Sequence, residues 1–251
     1  MSETNSKINS SFQHGGRFGN LFFINMALSF IAEKNNLDVK YKDEDKFIKL
    51  GIEFYLGKHT YPNTIPLTDN NFLTMIKTNE FKDVNVSIEN NVWCQTEDFS
   101  NLLHDYFQQD VNKNKILMNN VFNDRFNKNN DLFIHIRLDD IINLYNSPFE
   151  YYEKAIENIS FENGFISSDS IDHEICKKLI SKYNLEVINY DEVKTIMFGS
   201  TCKNVVLSSG TFSWLIGLFS FYSNVFYPKI EKRWHGNIFV FKHWKELDFL
   251  E

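Results

Sequence analysis

Four short stretches carry residue types that could hold or activate a ligand. Gly15-Gly16-Arg17-Phe18-Gly19-Asn20 is a glycine-rich run ahead of an apolar segment. Glycine permits close backbone approach, and a helix starting there offers amides to an anion or a sugar hydroxyl. An ordinary strand-to-helix turn is the alternative. His135-Ile136-Arg137, with Asp140 nearby, sets two cationic residue types on one face of a strand. Such a fork suits a diphosphate, because guanidinium binds phosphate oxygens in a bidentate manner, and Asp140 could hold Arg137 in place. An ion pair at a strand end is the alternative. Ser168-Asp169 offers a carboxylate that can accept hydrogen bonds from a guanine edge or ribose hydroxyls. The same Asp could instead cap a helix beginning near Ile171. Ser208-Ser209-Gly210-Thr211-Phe212-Ser213-Trp214 joins hydroxyls to a turn before an uncharged segment, the makings of a phosphate cradle without a lysine. It lacks the Gly-Lys-Ser/Thr of a Walker loop and the Gly-x-Ser-x-Gly of a nucleophile elbow. A small-residue turn packing a buried helix is the alternative, with Trp214, Leu215 and Phe219 expected in the core. The seven histidines are scattered without HExxH spacing, and Arg137 beside Asp139-Asp140 disfavours a cation there, so no metal is expected.

The elements that must position these residues alternate between strand and helix. Ser11 to His14 reads as a short strand, Gly19 to Asn36 as a helix stopping at Asn35-Asn36, and Leu37 to Tyr41 as the next strand. Lys42 to Asn119 mixes short apolar runs with polar loops and carries no legible chemistry. From Asp131 onward the pattern is clear. Strands are expected at 131–137, 164–167, 186–189, 204–207 and 224–227, with helices at 147–159, 171–183, 191–201 and 211–221 between them. This alternation predicts a parallel sheet with right-handed crossovers and ligands at the carboxyl ends of its strands, where the polar clusters fall. The expected organisation is a flexible tail over 1–10, an N-terminal Rossmann-like domain over 11–120 and a C-terminal one over 121–251.

Composition limits the function classes. The 251 residues include 25 Phe, 11 Tyr and 4 Trp, so the chain can bury a core and is not intrinsically disordered. A net charge of −7 without a basic block argues against nucleic-acid binding. Three widely spaced cysteines, Cys94, Cys176 and Cys202, form neither a disulfide framework nor a zinc pattern. With the polar N-terminus they lead to a cytoplasmic expectation. The uncharged stretch Asn204 to Pro228 is long enough to span a bilayer, but its many Ser, Thr and Gly residues read better as a buried strand-turn-helix-strand, so no transmembrane segment is expected.

Taken in order, these motifs resemble the α-1,2-fucosyltransferases, glycosyltransferase family 11. Gly16-Arg17-Phe18-Gly19-Asn20-Leu21-Phe22-Phe23 resembles the family's GG-R-L-GNQ-x-F, with Leu21 in place of Gln. His135-Ile136-Arg137-Leu138-Asp139-Asp140 resembles HIRRGD, without the second Arg and the Gly. Ser168-Asp169-Ser170 resembles Ser-Asp-Asp, and Gly210-Thr211-Phe212-Ser213-Trp214 resembles GTFGWW or SSFSWW. Tyr151-Tyr152-x-x-Ala155-Ile156 is similar to a tyrosine-rich helix start in the family. The resemblance implies a GT-B fold, two Rossmann-like domains with parallel sheets facing a cleft. It implies metal-independent, inverting transfer of fucose from GDP-fucose to a glycan hydroxyl such as one of galactose, with no other cofactor. By that resemblance Arg137 neutralises the diphosphate, with His135 and Asp140 shaping its loop. Ser208, Ser209, Gly210, Thr211 and Phe212 form the phosphate cradle, Ser168 and Asp169 reach guanine or ribose, and Gly16, Arg17 and Asn20 face the donor. Asp139, Asp140 and His14 are candidates for a general base. Another nucleotide sugar as donor, or a catalytically silent nucleotide-sugar or glycan-binding protein, are the rival expectations.

Overall fold

The computed structural model of the chain describes residues 9–10, 16–88, 91–139, 147–229 and 236–248. Its N-terminal half begins with β1 (Asn9–Ser10) and α1 (Phe18–Asn35), followed by β2 (Val39–Lys40) and α2 (Glu44–Lys49). Next come β3 (Thr64–Leu67), α3 (Phe72–Lys77), β4 (Asn85–Ile88), α4 (Glu97–Gln108) and α5 (Asp110–Asn119). Nearly all of α1 is buried, on every side, as expected of a helix enclosed by its neighbours. It ends where expected: Asn36 takes the left-handed conformation at φ 53° and donates its N–H to Ala32 O, a role Asn tolerates better than most residues. β1 pairs in parallel with β2, and β3 with β4. The first strand therefore lies at Asn9–Ser10, inside the stretch expected as a tail. Residues 11–14, expected as that strand, and Gly15 of the glycine-rich run are outside the described residues.

The C-terminal half follows the expected alternation closely. It contains β5 (Leu132–Ile136), α6 (Phe149–Glu157), β6 (Gly164–Ser168), α7 (Glu174–Tyr183) and β7 (Glu186–Val187). It continues with α8 (Glu192–Gly199), β8 (Asn204–Val206), α9 (Thr211–Leu218), β9 (Asn224–Pro228) and β10 (Lys245–Leu247). All six strands are parallel, in the spatial order β7-β6-β5-β8-β9-β10. Numbered by appearance this is 3-2-1-4-5-6, the doubly wound Rossmann order, with its switch point between β5 and β8. The stretch Asn204 to Pro228 is strand, turn, short helix and strand, and among the described residues no helix is long and apolar enough to cross a membrane.

Alternation along β5 assigns its side chains to two layers. Leu132, Ile134 and Ile136 join Tyr151, Tyr152, Ala155, Cys176 and Leu179 of α6 and α7 in one apolar cluster. Phe133 joins the other cluster, with Trp214 and Leu215 of α9 and Phe22 and Phe23 of α1. That second cluster is continuous between the two halves of the chain. Phe23 lies 4.7 Å from Trp214, centroid to centroid, and Lys46 of α2 pairs with Glu192 of α8 at 2.5 Å. The expected junction at 120–121 is tied down as well, since Asn120 Nδ2 donates to Met197 O at 2.8 Å. Arg125 holds the nearly buried Asp131 carboxylate at 2.7 Å ahead of β5.

Candidate functional site

Strand parity carries His135 and Arg137 to the α9 side of the sheet, as expected of residues two apart. His135 Nδ1 lies 2.6 Å from Ser213 Oγ, and Ser213 Oγ lies 2.8 Å from Ser208 Oγ. The Phe212 ring packs 5.0 Å from the imidazole. Burial, helped by the charge of Arg137, pushes the His135 pKa down to about 3. His135 is thus neutral at physiological pH, and the cationic fork expected at 135 and 137 reduces to Arg137. Ser208 is fully buried in this chain of polar groups, which places its hydroxyl in the support of the site and not on its surface. Ser209 and Gly210 remain partly exposed. A Cβ on Gly210 would lie 3.3 Å from Arg137 Cδ, so the Arg137 side chain runs along the turn before α9.

The neutral imidazole has a consequence for stability. A histidine that ionises near 6.5 when unfolded and near 3 when folded binds fewer protons in the native state across that interval. Its contribution is fully present above about pH 6.5 and declines as pH falls toward 3. Between pH 6.5 and 4.5 the loss amounts to about 2 kcal/mol. His135→Asn, which can still reach Ser213, removes the titrating group. Urea unfolding of both proteins across this range is expected to show a shallower acid decline in the variant. Parallel declines would mean that His135 is protonated in the native state.

The second side of the site is the start of α1, pressed against the start of α9. A Cβ on Gly19 would lie 2.5 Å from Phe212 N and 2.7 Å from Thr211 Oγ1. Asn20 Oδ1 accepts a hydrogen bond from Thr211 Oγ1 at 2.7 Å and another from Gln95 Nε2 at 3.0 Å. The Thr211 hydroxyl proton therefore points at Asn20, and what Thr211 offers a ligand is its backbone N–H. Neither helix has a side-chain cap or an acidic residue in its first turn. Each N-terminus carries roughly half a positive charge, felt within the first turn, so two such ends in contact form an anion-favouring spot.

Arg17, the residue before α1, pairs with Asp139 and lies 3.4 Å from Asp169 Oδ2. Asp169 Oδ1 accepts from the Leu138 N–H at 2.8 Å. Of the two readings of Asp169, the cap is excluded. A turn over Ser170 to His173 delays α7 to Glu174, and His173 caps it by accepting from the Ile175 N–H. Ser168 Oγ accepts from the Ser170 N–H in the same turn.

The structure thus gathers Arg17, just before α1, and Asn20 of its first turn, Arg137 after β5, Asp169 after β6, and Gly210 to Phe212 after β8, with Gly16 and Ser209 adjoining them in sequence. All lie at the carboxyl side of the sheet, around the switch point. Asp140 and His14 lie outside the described residues. Leu138, at the position of the second Arg in the motif, is fully buried beneath β5 among the α6 and α7 side chains. Sequence reasoning missed Gln95, which comes from the stretch that carried no legible chemistry. Its signal was local: Thr96-Glu97-Asp98 is a helix start, and Thr96 Oγ1 accepts from the Phe99 N–H. The sequence matches no protein-family model and no curated protein.

Proposed function

We propose that the chain is a glycosyltransferase that binds a nucleoside-diphosphate sugar, GDP-fucose, and transfers the sugar to a glycan hydroxyl. The observation that carries this reading is the meeting of two uncapped helix N-termini, α1 and α9, beside Arg137 at the switch point of a doubly wound parallel sheet. Fixed amide dipoles and a guanidinium at that place suit a diphosphate, whose developing charge they would hold as it leaves. The choice of GDP-fucose rests on the resemblance of the four motifs. In the reaction, the bond between sugar C1 and the β-phosphate oxygen breaks, and the acceptor oxygen bonds to C1 from the opposite face. The acceptor proton passes to a base, and GDP departs. Asp139 is the described carboxylate among the candidate bases, and it contacts Arg17.

A second reading, a nucleotide-sugar binder that transfers nothing, is favoured by one observation. Leu138 is part of the core, so position 138 brings no second cation to the donor. Both readings are tested by thermal unfolding with GDP, GDP-fucose, GDP-mannose, UDP and UDP-sugars in the presence of EDTA, followed by a transfer assay with labelled GDP-fucose and galactosides. A ligand at a hundred times its dissociation constant adds about 2.7 kcal/mol. Stabilisation by GDP and GDP-fucose but not UDP, with labelled product, is the expected result. Binding without product would select the silent binder. No stabilisation by any nucleotide would overturn both.

A further inference from the structure

We infer that Gln95 is a positioning residue of this site: it fixes the amide of Asn20 so that its two N–H donors face the bound anion. This rests on the reading of the site as a diphosphate site and names the part of the chain that sets its donors. Asn20 Oδ1 accepts from both Thr211 Oγ1 and Gln95 Nε2, which turns Asn20 Nδ2 the other way, and Nδ2 has no acceptor among the described residues. The two partners differ in kind. A threonine hydroxyl rotates and can donate or accept, so it suits either orientation of the Asn20 amide. Gln95 presents its amide nitrogen to Asn20, and in that orientation it can only donate, so Oδ1 is the end of Asn20 that it holds. Flipping Asn20 against it would set one NH2 group against another and leave the Gln95 donor without its acceptor.

The loop that carries Gln95 is held in a way that a passive connection would not require. Cys94, just before it, is buried and takes a left-handed conformation at φ 54°, unfavourable for a residue with a Cβ and maintained only where the surroundings enforce it. One carboxylate oxygen of Asp69 accepts both the Trp93 N–H at 2.9 Å and the Cys94 N–H at 2.7 Å. Just after Gln95, Thr96 caps α4. Gly236 packs so closely on the Gln95 carbonyl that a Cβ there would lie 2.0 Å from its oxygen. Gln95 is itself buried. The segment is clamped on both sides, and the side chain it presents ends on Asn20.

The test uses the full chain with Gln95→Met, which keeps the shape and removes the donor, and Gln95→Glu, which puts an acceptor there. Affinities for GDP and for inorganic pyrophosphate are measured by calorimetry, and the side-chain amide resonances of Asn20 are followed by NMR in the ligand-free protein. Gln95→Met is expected to weaken both ligands about tenfold, by freeing Asn20 to turn. Gln95→Glu is expected to weaken them further, because the new carboxylate draws Nδ2 away from the anion. Part of that loss is recovered as pH falls and the carboxyl becomes a donor. Repulsion between the new carboxylate and the anion would give the same order and pH dependence, so the Asn20 resonances of the ligand-free protein are the readout that a merely structural role would leave unmoved. Unchanged affinity in both variants, or Asn20 resonances that do not move, would overturn the assignment. Should the wild-type protein bind neither GDP nor pyrophosphate, the diphosphate reading fails, and the NMR comparison still decides whether Gln95 orients Asn20.

Discussion

Arg137→Met lowers the affinity for GDP by about a hundredfold, the largest loss expected of any single change at the site. A guanidinium that meets phosphate oxygens through charge-assisted bonds contributes about 1.5–3 kcal/mol for each such bond, and 2.7 kcal/mol is a hundredfold in affinity. The surroundings of Arg137 concentrate that effect on one residue. The neighbouring imidazole is neutral, so it adds no charge. Arg17 already faces two carboxylates, Asp139 and Asp169, which offset its charge. Position 138 holds a buried leucine. Arg17→Met is accordingly expected to weaken binding less than Arg137→Met does. Arg137→Lys keeps the charge but loses the planar fork, and falls between the wild-type protein and the methionine variant. Calorimetric titration of GDP into the three variants at two salt concentrations checks the order. Wild-type affinity in Arg137→Met would remove Arg137 from the site.

The parts of the molecule that were legible in the sequence share a physical reason. In the second half the central strands β5, β8 and β9 are short apolar runs buried on both faces, while the edge strands β7 and β10 are exposed, and β10 was not expected from the sequence. Leu132–Ile136 and Asn224–Pro228 therefore announce themselves, and the order of strands and helices leads directly to the parallel sheet. The N-terminal half hides the same kind of structure. Its strands are two to four residues long, and α2 and α3 have six residues each, too few to show a period. The expected pair of Rossmann-like domains consequently has a full sheet to set against it only in the C-terminal half. Among the described residues the N-terminal strands form two parallel pairs.

The site was legible as residues but not as states. The four motifs do meet, yet the neutrality of His135 depends on burial against Phe212 and Ser213, 78 residues away in the case of the hydrogen bond. The freedom of Asp169 from capping depends on where α7 starts, and a turn of four residues moved that start. The role of Gln95 depends on a contact across 75 residues. Local patterns report local hydrogen bonds well. Protonation and donor orientation are set by whatever packs opposite, and that information is nowhere near the residue it governs.

Gly19→Ala is expected to destabilise the protein by about 3 kcal/mol, against the sign that helix propensity alone would give. Within a helix, alanine is favoured over glycine by up to about 1 kcal/mol. Here the added methyl would sit 2.5 Å from Phe212 N and 2.6 Å from Thr211 C, and both are backbone atoms at the start of another helix. No rotamer change relieves such a contact, so α1 and α9 must separate, and overpacking of this kind costs about 1–3 kcal/mol or more. Separation also stretches the 2.7 Å bond between Thr211 and Asn20, for about a further 1 kcal/mol. Because the two N-termini must converge to hold an anion, affinity for GDP is expected to fall at least tenfold alongside stability. Gly217→Ala on α9 is the comparison. Its methyl would meet the side chains of Trp244 and Leu207 at 2.7 and 2.8 Å, inside the core and away from the helix start. That variant is expected to lose stability yet keep its affinity. Urea unfolding and GDP titration on both proteins separate the two effects. A Gly19→Ala protein as stable as the wild type would show that the helices do not meet at this glycine, and a loss of stability without a loss of affinity would show that their meeting does not form the anion site.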